Sequence, residues 1–238
     1  MMPTVTIVVP FYNCPYIQQA LDSAVQQTYP AVEIIVVDDG STSHADLIAP
    51  YTNRVYYMGK SNGGTASALN HGILHASGEY IAWLSSDDRL VPQKVERQMA
   101  FMLSRGLDIS YTGFSLINEH THMIKPYEGI PMASTADLCR KFIYSNPING
   151  CTVIAKKDWF LRVGMFNEHL RYTHDYDLWI RLLMSGAAFG FLPDMLTLYR
   201  VHSQMGTLRY NATIAKEYEM VKNNYRGILE HLARKHGG

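Results

Sequence analysis

Val32-Glu33-Ile34-Ile35-Val36-Val37-Asp38-Asp39-Gly40 runs from β-branched apolar residues into two carboxylates and a glycine, the pattern of a strand buried on both faces that stops at a turn. Thr4-Val5-Thr6-Ile7-Val8-Val9 has the same character and is stopped by Pro10. Between them Ile17, Ala20, Leu21, Ala24 and Val25 recur at helical spacing, and Thr28-Tyr29-Pro30 closes the segment. Two parallel strands joined by a helix form a βαβ unit, so the fold class is α/β.

The unit extends in both directions. Arg54 to Met58 is a third strand, Thr65 to Ala76 a helix ended by Gly78, and Tyr80 to Leu84 a fourth strand. This alternation predicts a doubly wound, Rossmann-like mixed sheet flanked by helices. Pro92 stands where a first helical residue belongs, with Val95, Met99 and Leu103 as the apolar stripe and Gly106 as the stop. Ile109 to Asn118 reads as a strand. Glu119 to Pro147, richer in Pro, Gly and polar residues, reads as loops covering a site, with one short helix at Thr135 to Tyr144. Val153 to Lys156 is a strand, Lys157 to Val163 and Asp175 to Ser185 are helices, and Phe189 to Pro193 and Leu196 to Val201 are extended. From Asn211 on, Ile214, Tyr218, Val221, Tyr225, Ile228 and Leu232 step by three and four, an amphipathic last helix packed at the edge of a single domain.

Composition narrows the function. Lys and Arg (21) balance Asp and Glu (21), so no net field attracts nucleic acid or an anionic membrane. Hydrophobic residues at 47% and charged residues at 18% suit a globular enzyme. Cys14, Cys139 and Cys151 are odd in number and lack a C-x-x-C pair, which argues against a disulfide framework or zinc knuckle. No secretory leader and no run of about 18 apolar residues is written in the chain, and the expectation is a cytoplasmic protein with at most peripheral membrane contact.

Three strand ends carry the chemistry: Pro10-Phe11-Tyr12-Asn13, Asp38-Asp39-Gly40-Ser41-Thr42, and Ser85-Ser86-Asp87-Asp88 after Tyr80-Ile81-Ala82-Trp83-Leu84. In an open parallel sheet these carboxyl ends share one edge, where ligands collect. A base can stack on Tyr12, a carboxylate such as Asp39 can accept a base N–H, and adjacent carboxylates repel each other unless a cation compensates them. Hard oxygen ligands suit Mg²⁺ or Mn²⁺ beside a diphosphate.

Together with Asn62-Gly63-Gly64-Thr65-Ala66-Ser67-Ala68-Leu69-Asn70-His71-Gly72-Ile73 and Asp175-Tyr176-Asp177-Leu178-Trp179, these blocks in this order make the chain resemble a family 2 glycosyltransferase of the GT-A fold. The resemblance implies an inverting transfer of a sugar from a UDP-, GDP- or dTDP-linked donor to a saccharide or lipid-linked saccharide, in bacterial cell-surface polysaccharide biosynthesis. It divides the domain into a nucleotide-sugar part (1–106), an acceptor-binding and catalytic part (107–207) and the last helix (208–238). Pro10, Tyr12, Asn13, Asp39, Asn62 and Asp87 are implied to hold the donor. Asp88 is implied as a metal ligand, with Asp87 beside it and His202 of Leu198-Tyr199-Arg200-Val201-His202 completing the shell. Arg200 is implied to face phosphate, and Asp175 to be the general base. A carboxylate at a helix N-terminus is expected to stay ionised through the helix dipole.

Two positions depart from the family's common pattern. Ser85 stands where an outer Asp is common, and His174 precedes the base where a Glu is common, putting an imidazole near the acceptor. These departures keep a second class of function open, a catalytically silent domain that binds a sugar nucleotide or glycan for a partner enzyme.

Overall fold

Every residue of β1 (Val5–Phe11) is buried, which marks it as an interior strand of the sheet. The computed structural model describes residues 2–237. In these, β1 is followed by α1 (Ile17–Val25), β2 (Val32–Asp38), β3 (Tyr56–Gly59), α2 (Thr65–His75), β4 (Tyr80–Trp83), a short β5 (Arg89–Leu90) and α3 (Lys94–Arg105). The second half holds β6 (Ile109–Asn118), β7 (Met123–Glu128), α4 (Thr135–Tyr144), β8 (Ile154–Lys156), α5 (Lys157–Val163), α6 (His174–Met184), β9 (Phe189–Val201), α7 (Gly206–Arg209) and α8 (Asn211–Lys235). One mixed sheet runs β3-β2-β1-β4-β8-β6-β9-β5, with β7 added on β6. Its first four strands are parallel, Val5 lying opposite both Val32 and Tyr80. Pairing turns antiparallel at β4–β8 and β8–β6, and β6–β9 is again parallel.

Alternation along β1 builds two cores. Val5, Ile7, Val9 and Phe11 pack against α1 and α3, while Val8 joins the core beneath α2, α4, α6 and α8. Helices on both faces make the sheet doubly wound. Gly72 lets α2 approach β1 closely, since a Cβ there would lie 2.4 Å from Val8 Cγ1.

The structure corrects several expectations. β1 continues through Pro10, which pairs with Val37. Phe11 O accepts from Asp39 on the β2 side, so the absent Pro10 N–H falls on the opposite side, beyond the last β4 pair at Val8 and Trp83. The region expected to be loops contains β7, whose Lys125 and Pro126 suit an edge strand and hide its apolar pattern. α3 begins at Lys94 rather than Pro92, and its buried stripe is Val95, Met99 and Met102, leaving Leu103 exposed. The two extended segments after α6 are one strand, β9, bulged where its partners skip from Leu192 to Met195. On α8 the buried face is Val221, Leu229 and Ala233, and Ile228 is exposed. Among the described residues no helix is long and apolar enough to cross a membrane.

Candidate active site

The carboxyl ends of β2, β1 and β4 lie side by side, as the order of these strands requires. Tyr12 emerges from β1 with 54% of its surface exposed, a free aromatic face beside the strand ends. Asn13 takes a left-handed backbone (φ 48°) and stitches two loops together. Its Oδ1 accepts from Thr42 N at 2.7 Å and Ser43 N at 2.9 Å, and its own N–H donates to Ser41 Oγ at 3.0 Å. Pro10 is buried inside the strand, so its ring does not line the crevice.

Asp39 is 3% exposed and heavily engaged. Lys60 Nζ donates to Oδ1 at 2.8 Å, Gly63 N to Oδ1 at 2.9 Å, and Gly64 N to Oδ2 at 2.7 Å. Asn62, itself exposed, donates from Nδ2 to Asp39 O at 2.9 Å. The carboxylate expected to meet a base therefore folds the Lys60 to Gly64 loop around itself, and Gly64 tolerates the required φ of 89°.

The acidic turn after β4 separates its two carboxylates. Asp88 points inward at 1% exposure. Its Oδ1 accepts from Arg200 N at 2.8 Å, and its Oδ2 has no hydrogen-bond partner. Burial first, then the neighbouring Asp87 charge, pushes its pKa well up. Asp87 turns the other way, and its Oδ2 lies 3.0 Å from His202 Nε2. Of the three expected ligands, Asp87, Asp88 and His202, the structure brings Asp87 and His202 together, while the Asp88 carboxylate is drawn inward to a backbone N–H of β9. A carboxylate oxygen and an imidazole nitrogen at this separation suit one Mg²⁺ or Mn²⁺, the softer nitrogen favouring Mn²⁺. No cluster of three or more His, Cys, Asp or Glu converges among the described residues, so water and diphosphate oxygens would supply the rest of the shell.

Arg200 does not face phosphate. It is 1% exposed and spends its donors inside the protein: Nε on Asp87 O at 2.7 Å, Nη1 on Asn118 O at 3.0 Å, and Nη2 on Gln19 Oε1 at 2.8 Å. Its guanidinium stacks 4.5 Å over Tyr16, which in turn meets the His202 ring edge-on at 5.1 Å. Arg200 is a strut that fixes the acidic turn and His202 in one frame.

α6 presents Asp175, half-buried in its first turn. Asn146 Nδ2 donates to Oδ2 at 3.0 Å and Tyr176 N to Oδ1 at 2.7 Å. Burial is the largest influence and raises the Asp175 pKa, against these two hydrogen bonds. Burial thus works against the helix-terminus effect expected to keep it ionised. His174 also departs from expectation: it is 4% exposed, packed between Trp83 at 5.7 Å and Phe166 at 5.5 Å, and burial lowers its pKa. A neutral ring in the core takes the place of a titrating group near the acceptor.

Asn146 and Cys151 were not legible as site residues in the sequence. Asn146 holds Asp175, while Cys151 accepts from Ser85 N at 3.3 Å and lies 3.1 Å from Ser85 Oγ. The short segment between them therefore ties the carboxylate on α6 to the acidic turn. Asn149, whose side chain caps the turn at Gly150–Thr152, is the local signal that this segment is ordered.

A doubly wound sheet with Tyr12, Asp39 and an acidic turn at its carboxyl edge, and a carboxylate in the first turn of α6, matches a sugar-nucleotide transferase of the GT-A fold. Residues 6–165 match the sequence model of Glycosyl transferase family 2, and the chain belongs to that family. It is 36% identical over 98% of its length to an uncharacterized glycosyltransferase of Rickettsia typhi, of which it covers 74%. It is 32% identical over 84% of its length to the putative teichuronic acid biosynthesis glycosyltransferase TuaG of Bacillus subtilis, covering 79% of that protein. The crystal structure of S. aureus TarS 1-349 in complex with UDP-GlcNAc superposes with a TM-score of 0.70 at 21% identity, over 85% of this chain and 60% of that one. The chain is a nucleotide-sugar-dependent glycosyltransferase related to enzymes of polysaccharide biosynthesis.

Proposed function

We propose that the protein transfers a sugar, with inversion at the anomeric carbon, from a nucleoside-diphosphate donor to a saccharide or lipid-linked saccharide of a bacterial cell-surface polysaccharide. The observation that carries this reading is Asp175, a carboxylate raised in pKa by burial yet held by Asn146, joined through Cys151 to the acidic turn. Inversion requires a base that takes the acceptor hydroxyl proton while that oxygen attacks the anomeric carbon and the diphosphate leaves. A carboxylate whose pKa is raised by burial is, when ionised, a stronger base than an ordinary one.

The donor lies with its base on Tyr12 and its ribose and diphosphate toward Asn13, Asn62 and Asp87. Asp39 shapes that pocket through the Lys60 to Gly64 loop and meets the base where that loop yields. A bound Mg²⁺ or Mn²⁺, held by Asp87 and His202, would neutralise charge on the leaving diphosphate. Asp88 keeps Asp87 turned toward His202. The likeness to TuaG supports a polysaccharide product, and Arg234 and Lys235 in the last turn of α8 suit peripheral contact with the inner face of a plasma membrane bearing lipid-linked acceptors.

The test is a screen of UDP-, GDP- and dTDP-linked sugars with Mn²⁺ or Mg²⁺, reading release of nucleoside diphosphate with and without saccharide acceptors. Release from one donor, lost in Asp175→Asn while the nucleotide still binds, is the expected result. Absence of release from every donor would overturn the transferase reading in favour of a binding domain.

A further inference from the structure

We infer that Glu217 on α8 is a positioning residue for Asp175, an inference that rests on reading Asp175 as the general base. α6 begins without a cap from its own N-cap residue: Thr173 occupies that position, and its side chain accepts no hydrogen bond from the helix. The amides of the segment leading into α6 go to Glu217. Arg171 N donates to Oε1 at 3.0 Å, and Tyr172 N at 2.9 Å, Thr173 N at 3.0 Å and Thr173 Oγ1 at 3.1 Å all donate to Oε2. A carboxylate that receives three successive backbone N–H groups at a helix N-terminus is a charge-assisted clamp. This one comes from a helix more than a full secondary-structure element away in sequence.

The clamp is not isolated on α8. Tyr225 OH donates to Asp177 Oδ1 at 2.8 Å. The Tyr218 ring stacks on Tyr176 at 5.0 Å with 22° between planes, and Tyr218 OH donates to Tyr144 O at 2.9 Å, just ahead of Asn146. Thr173, Tyr176 and Asp177 surround Asp175 in the chain, and the Tyr144 carbonyl leads into its side-chain partner. One helix thus grips both the backbone of the base and the approach to its hydrogen-bond donor. Burying Val221, Leu229 and Ala233 would suffice for an edge helix that merely packs. A carboxylate that gathers consecutive amides one turn ahead of Asp175 does more, because it sets where α6 starts and hence where Asp175 points. α6 and α8 both lie beyond the residues matched by the family model, which end at 165.

The test uses the full chain and the donor that the screen above selects, reading hydrolytic release of nucleoside diphosphate, for which Asp175 would activate water. Glu217→Ala should lower kcat by about 10–100-fold, the size expected when a reacting group is misplaced by about an ångström, with donor KM and calorimetric binding of the matching nucleoside diphosphate with Mn²⁺ within twofold of wild type. Glu217→Gln, which keeps one acceptor oxygen, should recover part of the loss. A folded Glu217→Ala protein with wild-type kcat, or with kcat and nucleotide affinity falling together, overturns the inference. Should Glu217→Ala fail to fold, the double variant Glu217→Gln, Tyr225→Phe decides: reduced kcat at unchanged donor KM supports the clamp, and wild-type kcat refutes it. Asp175→Asn is run beside them. If it keeps wild-type activity, the base reading fails and this inference with it; if it is inactive while Glu217→Ala is not impaired, the clamp alone is wrong.

Discussion

Asn146 Nδ2 lies 3.0 Å from Asp175 Oδ2 and opposes the burial that raises the pKa of this carboxyl. A hydrogen bond to the charged form favours ionisation, so its removal moves the Asp175 pKa further up. A base works only when ionised, and the acid limb of the pH–rate profile should therefore shift to higher pH in Asn146→Ala. The loss in kcat should be larger at pH 6 than at pH 8. An unchanged acid limb in the pH–rate profile would place Asn146 outside the chemistry.

Asp175→Asn removes the proposed base and retains the shape. Loss of a general base costs about 10²–10⁴-fold in rate, and the loss should be present across the whole pH range. Nucleoside diphosphate affinity, measured by calorimetry with Mn²⁺, should stay at the wild-type value because Tyr12 and the Lys60 to Gly64 loop are untouched.

His202→Ala should separate the ion from the nucleotide. With Asp87 left alone, affinity for nucleoside diphosphate in the presence of Mn²⁺ should fall by about tenfold, or ~1.4 kcal/mol, and affinity without the metal should change little. Asp88→Asn should do less to that difference than His202→Ala, since Asp88 is turned away from His202 and its Oδ1 is held by Arg200 N. A larger metal-linked loss in Asp88→Asn would restore the adjacent carboxylates as the ion-binding pair.

Arg200→Met should act on stability first. The guanidinium holds Asp87 O, Asn118 O and Gln19 Oε1, and truncation leaves these groups without their buried partner. Leaving buried neutral acceptors unpartnered costs about 1–3 kcal/mol, visible as a lower midpoint in denaturant. A phosphate ligand would behave otherwise, leaving the midpoint in place and raising donor KM alone.

These expectations show where the sequence was readable. The strands leading into Tyr12, Asp39 and Asp87 were legible because buried apolar runs stop at turn residues, and parallel order then forces their ends onto one edge. α6 with Asp175 was legible from its periodicity. β7 was not, because an edge strand carrying Lys125 and Pro126 lacks the alternation of a half-buried strand. The direction of each side chain was not legible either. Asp88 turns inward because Arg200 N lies on a strand more than a hundred residues later, and His174 is buried because Trp83 and Phe166 meet around it. Asn146 and Glu217 carry no local signature, since their partners are distant in the chain.

Lys94 makes the last prediction, and it concerns stability alone. Its side chain is fully buried between α3 and the sheet, with one long hydrogen bond from Nζ to Val153 O at 3.3 Å, and burial lowers its pKa to about 7. An unfolded lysine titrates near ~10.4. Between these values the unfolded chain binds a proton that the folded protein has released, so this residue makes stability rise with pH across that window. Below about pH 7 both states are protonated and the full cost of a buried ammonium is present. Lys94→Met should then be more stable than wild type at pH 6.5, by on the order of 1–4 kcal/mol as for other buried charges replaced by apolar residues, and this advantage should shrink steadily toward pH 9.5. Cys139 and Cys151, whose thiols burial raises, act in the opposite sense at alkaline pH, but they are present in both proteins and largely cancel in the difference. Denaturant midpoints measured at half-unit steps give that difference directly. A gap independent of pH would show that Lys94 does not titrate in this window.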